Sequence, residues 1–453
     1  MNKPLFGTSG VRGVVNQDLT TDLCKGVGRA LGTILPPDSS VCLATDSRLS
    51  RELIKNSVIA GLLECGMNVA DIEIAPTPAL ALLTREMGFD AGVMITASHN
   101  PPEFNGIKLF NADSIGFDRQ QEEQIEAIYH SGKFRTGKTG TLEKVPRMKA
   151  KYFDYIQSCL PGCDFNRSLK LMIDPGNGAA AGFAIDVFKK LGFNVIPIND
   201  TPDGRFPGRN PEPKEDTLKE TIAFLRQKNA DLAVCFDGDA DRVVFCDQKG
   251  FLGFNEMIAF IARHLIKTTG KKIVATTVET GTLLDLAIAD VGGKVIRGKV
   301  GDVYVAHLAR DNDAALGVES VGVYIIPQVG YYPDSIFAAI TLLAAIREVG
   351  EIRDFLNTIP GLFFFKDKLV CPNELKAVVM AKVQQKTQTL QPSAVNDLDG
   401  LRLQFDEAWM LIRASGTEPA IRVLAESKDA GLTARLLSKG LTLVKETIEG
   451  VVK

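Results

Sequence analysis

The stretch Ala91-Gly92-Val93-Met94-Ile95-Thr96-Ala97-Ser98-His99-Asn100-Pro101 joins a short apolar run to a small polar loop. Such a run, bounded by turn residues, reads as a buried strand. A hydroxyl on the turn that leaves it projects at the strand's carboxyl end, where open α/β sheets build their sites. Two further loops follow apolar runs in the same way: Asp237-Gly238-Asp239-Ala240-Asp241-Arg242 and Arg413-Ala414-Ser415-Gly416-Thr417-Glu418-Pro419.

Outward from these loops, the order of elements repeats. The first cycle runs from a strand at 40–45 through Asp46-Ser47-Arg48 to a helix at 52–65, a strand at 68–74, a helix at 79–87 and the strand at 91–95. The second has strands at 169–173, 194–198 and 231–236 with helices at 179–191 and 214–228, and it closes on Asp237. The third has strands at 272–277, 294–296 and 314–318 with a helix at 283–291, and it closes on Glu319. Strands alternating with helices over short loops predict mixed, mostly parallel α/β domains. The tail differs, with short strands at 363–371, 401–405, 409–413 and 420–426, a polar loop at 385–396 and a terminal helix at 432–448. The expected fold class is α/β with four domains, three similar mixed α/β domains plus a C-terminal α+β domain, spanning 1–152, 153–250, 251–366 and 367–453.

Bulk properties agree with several domains, since 453 residues exceed what one core supports. A net charge of −3 leaves no electrostatic footprint for nucleic acid or an anionic membrane. No apolar run approaches the ~20 residues of a spanning helix. The amino end lacks the apolar centre of a signal peptide. The 8 cysteines are scattered, several within apolar runs, and none forms a Cys-x-x-Cys pair. They read as reduced, small hydrophobic residues in a cytoplasmic protein and argue against zinc.

In an extended loop alternate residues point to one side, so Asp237, Asp239 and Asp241 converge on one hard cation. Oxygen-only ligation suits Mg²⁺. Gly238 and Ala240 keep the loop small, and Arg242 sets a fixed cation beside the metal. The competing reading is a solvated acidic turn; a calcium hand lacks its downstream glutamate. Taken alone, Ser98 reads as a helix cap, His99 as a structural imidazole and Lys108 as a surface cation. Ser415, Gly416 and Thr417 offer hydroxyls and N–H groups in a tight anion nest, to which Arg413 and Arg422 add planar forks. An ordinary Ser-Gly turn is the alternative. In Phe6-Gly7-Thr8-Ser9-Gly10-Val11-Arg12-Gly13, the glycines permit close approach to an anion that Arg12 can reach. A nucleophile, a hard-metal loop and a phosphate cradle together describe phosphoryl transfer.

In these loops and their order the chain resembles the α-D-phosphohexomutases, the superfamily of phosphoglucomutase, phosphomannomutase and phosphoglucosamine mutase, over essentially its whole length. The resemblance is nearest to phosphoglucosamine mutases of archaeal type. It implies four domains around a central cleft, with Ser98 as the phosphoryl carrier and Ser98, Asp237, Asp239 and Asp241 around Mg²⁺. It implies Arg12 and His99 beside the phosphoserine, Lys108 as the proton-transfer group, and Arg413, Ser415, Gly416, Thr417 and Arg422 around the substrate's distal phosphate. The family's sugar loop usually reads Gly-Glu-x-Ser-Gly-His; the aligned run here is Val318-Glu319-Ser320-Val321-Gly322-Val323. Glu319 is the expected sugar-hydroxyl contact, Ser320 is displaced by one place, and Val323 stands where histidine is usual.

The implied reaction moves a phosphoryl group between O6 and O1 of a hexose phosphate through a hexose 1,6-bisphosphate, with glucosamine phosphate the first expected substrate. Glucose or mannose phosphate, handled with broad specificity, is the alternative. A metal-dependent phosphatase and a non-catalytic sugar-phosphate binder are readings of other classes; the second phosphate grip opposes the first, and the intact serine and aspartates oppose the second. The expected partner is a small hexose phosphate, and the expected assembly a monomer or homodimer in the cytoplasm.

Overall fold

The computed structural model describes residues 5–7, 10–160, 162–416 and 418–452, arranged on four sheets. The first sheet runs, in spatial order, Phe6–Gly7, Gly10–Val14, Phe104–Asn111, Ala91–Ile95, Ser40–Thr45, Asn68–Ile74 and Leu142–Lys144. The second runs Gly250–Leu252, Val243–Asp247, Leu232–Phe236, Lys170–Asp174 and Asn194–Pro197. The third runs Lys294–Gly298, Ile273–Thr277, Leu316–Glu319 and Val323–Ile325.

One plan underlies all three. Central strands pair in parallel, and the strand carrying the chemically loaded loop is followed by an antiparallel neighbour. Ala91–Ile95 and Leu232–Phe236 are buried at every position, as strands covered on both faces must be. The return strands Phe104–Asn111, Val243–Asp247 and Val323–Ile325 are additions to the expected pattern. Their apolar runs follow loops too short for a crossover helix, so the chain reverses beside the strand it has just left.

The fourth sheet is wholly antiparallel: Phe363–Val370, Ala420–Ser427, Ala408–Ala414, Leu401–Phe405 and Ala394–Asn396. Helices Asn373–Lys386 and Ala430–Val452 pack together on it. The first of these helices was not foreseen, and the expected loop at 385–396 contains a 3₁₀ turn, Thr387–Leu390, and an edge strand. Helices expected at 179–191 and 214–228 begin later, at Phe183 and Lys219. The chain turns first through Gly182, whose φ of 71° suits a residue without a side chain.

The first three sheets share a continuous apolar core, while the fourth has its own. Tyr152 strengthens the shared core by donating to Asp334 Oδ1 at 2.8 Å and Oδ2 at 3.0 Å. The fourth unit meets the third through a small cluster of Val278, Trp409, Leu411 and Leu424. Trp409 Nε1 donates to Glu426 Oε1 at 2.9 Å, and that oxygen also accepts from the Thr282 N–H at 2.7 Å. Divisions at 152, 250 and 366 would fall within the helix Ala150–Ser158 and the strands Gly250–Leu252 and Phe363–Val370. We therefore propose that the units part before Ala150, after Leu252 and before Phe363.

Candidate active site

Ser98 lies on the loop leaving Ala91–Ile95 and is buried. Its backbone is left-handed, with φ at 51°, a conformation that costs an L-residue about 1–2 kcal/mol. Its N–H donates to Thr96 Oγ1 at 2.8 Å, and its hydroxyl donates to Asp237 Oδ2 at 2.7 Å across 139 residues of sequence. Ala240, in the facing loop, is also left-handed, with φ at 57°. Strain of this kind persists where surrounding contacts over-determine the backbone, commonly at functional sites.

The carboxylates of Asp237, Asp239 and Asp241 are buried and offer ligand atoms within 4.8 Å of one another. The triad fits a small hard cation. Asp239 Oδ1 is buried without a hydrogen-bond partner among the described residues, whereas Asp239 Oδ2 accepts from Thr77 Oγ1 at 2.7 Å and Lys108 Nζ at 2.8 Å. Burial and the other two carboxylates push the Asp237 carboxyl well above its usual range. Burial also opposes charge on Asp241, but Lys108 and Arg242 outweigh it and hold that carboxyl at about 2. A buried polar oxygen without a partner, beside a proton held only by crowded charge, is what a divalent cation would relieve. Arg209, fully engaged behind this loop, donates to Asp174 Oδ2 at 2.8 Å and to the Phe236 carbonyl at 2.6 Å.

Lys108 comes from the return strand Phe104–Asn111 and is buried; its Nζ also reaches Asp241 Oδ2 at 2.5 Å. Burial works against its charge, but Asp239 and Asp241 prevail and raise its pKa. Its surroundings are therefore unlike those of a surface cation. His99 Nδ1 lies 3.3 Å from Ser98 Oγ, and burial, helped by Arg242 and Arg12, drives its pKa down to about 2, so the ring is neutral. Arg12 Nη1 donates to Asn100 Oδ1 at 3.2 Å, and its buried Nε lacks a partner among the described residues. Arg242 Nε stands 3.9 Å from Asp241 Oδ1, beside the triad.

The loop at 318–323 abuts this centre. Val243 N donates to the Gly322 carbonyl at 2.9 Å, and Val323 is buried in its strand, so its side chain offers no contact in place of an imidazole. Glu319 Oε1 accepts from the Gly301 N–H at 2.9 Å; burial and Asp302 raise its carboxyl to about 7. Ser320 Oγ donates to Thr280 Oγ1 at 3.1 Å.

In the C-terminal loop Arg413 donates to Asp399 Oδ2 at 2.9 Å and to Glu279 Oε1 at 3.1 Å, the latter across the boundary with the third unit. Arg422 lies 4.0 Å from the same Glu279 oxygen. The Ser415 hydroxyl accepts from the Glu418 N–H at 3.1 Å, and Lys376 Nζ donates to the Ser415 carbonyl at 2.6 Å, which shapes the turn. Arg413 and Gly416 border a cavity of about 420 Å³ that Lys299, Tyr304, Phe117 and Glu122 also line. A smaller cavity bordered by Glu122 and Asp302 continues to Lys108. Thr417, expected in the phosphate grip, and Thr8 and Ser9 of the amino-terminal loop lie outside the described residues.

The fold thus brings Ser98, His99, Arg12, Lys108, Arg242 and the aspartates together; Arg413 borders the larger cavity, and Glu319 accepts from Gly301, which lines it. Residues that motif reading passed over are Thr77, which orients Asp239, the buried Asp46 and Arg48, and Arg209. Their signal was an Asp-x-Arg pair directly after a strand, and an arginine in a Gly-Pro-rich segment before the metal loop.

Comparison with known proteins bears on the whole arrangement. Family models described as phosphoglucomutase/phosphomannomutase match in succession: α/β/α domain I over residues 3–136, domain II over 150–250, domain III over 254–360 and the C-terminal domain over 368–439. A probable phosphoglucosamine mutase of Methanothermobacter thermautotrophicus is 38% identical, over 94% of this chain and 94% of its own. One of Pyrococcus horikoshii is 38% identical over 98% of each chain. A phosphoglucomutase/phosphomannomutase family protein of Burkholderia thailandensis superposes with a TM-score of 0.87 at 25% identity, covering 98% of this chain and 97% of its own. With four successive domain matches and relatives this similar along nearly its full length, the chain belongs to the phosphoglucomutase/phosphomannomutase family.

Proposed function

We propose that this chain is a phosphohexomutase that interconverts glucosamine 6-phosphate and glucosamine 1-phosphate through a phosphorylated Ser98 and a hexose 1,6-bisphosphate. The observation that carries the reading is the Ser98 hydroxyl, 2.7 Å from Asp237 within a buried triad that fits a cation. Magnesium is the metal we assign to Asp237, Asp239, Asp241 and the Ser98 oxygen; when bound, it neutralises charge on the transferring phosphoryl group. The choice of glucosamine follows the names of the archaeal relatives.

In this mechanism the bond between phosphorus and Ser98 Oγ breaks as a bond to a sugar oxygen forms. The proton of the attacking hydroxyl ends on Oγ. Lys108, held protonated between two carboxylates, is the assigned relay, with the neutral His99 as second candidate. Arg12 and Arg242 supply fixed positive charge where the phosphoryl oxygens must sit. Glu319 accepts from sugar hydroxyls. Arg413, Ser415, Gly416, Thr417 and Arg422 hold whichever phosphate is distal, so the bisphosphate can turn over and return its other phosphoryl group to Ser98. Ser98 is buried, so the separately cored fourth unit must open for exchange and close to exclude water. No helix among the described residues is long and apolar enough to cross a membrane. We assign the chain to the cytoplasm on its 8 unpaired cysteines, as a monomer or homodimer.

Phosphorus NMR of the Mg²⁺-loaded protein, primed with glucose 1,6-bisphosphate and given glucosamine, glucose or mannose 6-phosphate separately, tests the reading. A 1-phosphate from the glucosamine ester is expected. Free phosphate alone would indicate a phosphatase, a faster reaction with glucose or mannose phosphate would move the substrate assignment, and no change with any of them would end the mutase reading.

A further inference from the structure

The loop that carries Ser98 is held from behind by a buried cluster centred on one side chain. Arg48 follows the strand Ser40–Thr45, is fully buried, and places the five donors of its guanidinium on the protein. Its Nε donates to Asp46 Oδ2 at 3.0 Å. Its Nη1 donates to the carbonyls of Pro101 at 2.5 Å and Phe104 at 2.8 Å, and its Nη2 to those of Ser98 at 3.0 Å and Asn100 at 2.6 Å. All four carbonyls lie in the stretch from Ser98 to Phe104, the first residue of the return strand. Asp46 also takes the Thr96 hydroxyl at 2.6 Å, and Thr96 Oγ1 in turn accepts the Ser98 N–H at 2.8 Å. Both backbone polar groups of Ser98 are therefore bound by one buried cluster, and its side chain is left pointing at Asp237. Phe206, from the second unit, sits over the guanidinium with 5.2 Å between the guanidinium carbon and the ring centroid, which links the clamp to the unit that carries the metal loop.

We propose that Arg48, acting with Asp46 and Thr96, is a positioning residue that keeps Ser98 in its left-handed conformation and aims its oxygen at the aspartate triad. The inference rests on the reading of Ser98 as the phosphoryl carrier. A loop of this shape strains at Ser98, where φ is 51°, so it relaxes once the carbonyls lose their common partner. Lysine keeps the buried charge opposite Asp46 but has one nitrogen with three donors, which cannot span four separated carbonyls.

The test uses the full-length, Mg²⁺-loaded protein as wild type, Arg48→Lys, Thr96→Val and Thr96→Ser. Turnover of glucosamine 6-phosphate and phosphate on Ser98 by intact mass are measured after priming with glucose 1,6-bisphosphate, with thermal melting as the control for folding. Displacing a reacting oxygen by about 1 Å costs about 100-fold in rate, so Arg48→Lys and Thr96→Val are expected to lose kcat on that scale with KM nearly unchanged. Thr96→Ser, which keeps the hydroxyl, is expected to retain kcat. Wild-type kcat in both Arg48→Lys and Thr96→Val overturns the proposal, as does a loss matched by the unfolded fraction. If Arg48→Lys does not fold, the contrast between Thr96→Val and Thr96→Ser decides alone: equal kcat in the two overturns it. A wild type that neither turns over nor carries phosphate on Ser98 would instead refute the underlying reading.

Discussion

Replacing Lys108 with methionine should separate the structural from the catalytic work of the triad. The ammonium lies 2.8 Å from Asp239 and 2.5 Å from Asp241, all three groups being buried. At an effective dielectric of about 20, a unit pair at 2.8 Å attracts by about 6 kcal/mol before desolvation is counted. Removing one partner of a buried pair typically costs about 3–5 kcal/mol, because the other charge is left uncompensated. For a cooperative unit of 150–250 residues each kcal/mol moves the melting temperature by about 2–4 °C, so the first transition of Lys108→Met should fall by about 10 °C in EDTA. Loss of the competing ammonium should tighten Mg²⁺ binding, and because the ion stabilises each protein by RT ln(1 + [Mg²⁺]/Kd), a Kd about tenfold below that of the wild type returns about 1.4 kcal/mol of the deficit at saturation. Turnover should still fall by about 10²–10⁴, the usual contribution of a positioned proton-transfer group. Differential scanning fluorimetry with EDTA and with Mg²⁺ reads the first effect, and coupled kinetics the second. An unchanged melting temperature in EDTA, or the same deficit in both buffers, would refute the electrostatic account of the triad.

Ser98→Ala should show no added phosphate by intact mass after priming with glucose 1,6-bisphosphate, while the wild type gains one; a label retained by the variant would identify a different carrier. Glu319, raised to about 7 by burial and Asp302, is neutral below that pH and ionised above it. KM for the hexose phosphate should therefore fall as pH rises through about 7, and in Glu319→Gln this dependence should vanish; parallel profiles would remove Glu319 from the hydroxyl contacts. Tyr152→Phe leaves the buried Asp334 with one donor fewer and should cost about 1–3 kcal/mol by urea unfolding. Burial raises the Asp334 carboxyl to about 6 in the folded protein, so folding takes up a proton between the usual carboxylate range and that pH. The stability tied to that proton is present in acid and lost as pH rises through 6, so the variant's deficit should be larger at pH 8 than at pH 5. A deficit independent of pH would show that Tyr152 acts through packing alone.

Much of the fold was legible because its signals are local. The strands at 40–45, 68–74 and 91–95 match the observed Ser40–Thr45, Asn68–Ile74 and Ala91–Ile95, each an apolar run between turn residues. The return strands escaped because Phe104–Asn111 and Val243–Asp247 continue directly from polar loops and show no separate alternation. The helix Asn373–Lys386 has little amphipathic contrast, since much of it faces solvent and only Val379 and Val383 are deeply buried.

The chemical content of the site was legible in the same way. Ser98, the three aspartates and the Arg413 loop are short motifs whose residue types state their chemistry wherever they stand in the chain. Which groups face one another was not, because no spacing rule links Ser98 to Asp237 over 139 residues. Only tertiary packing makes Lys108 a buried counter-charge between the first and second units, joins Arg413 of the fourth to Glu279 of the third, and gathers the Ser98 carbonyl and three others onto Arg48 within the first. The sequence by itself determined the parts and their alternation, because hydrophobic period and side-chain chemistry act over a few residues. The tertiary structure alone decided their mutual geometry, because that depends on how separately wound sheets bury a common core and leave their loaded loops at one shared edge.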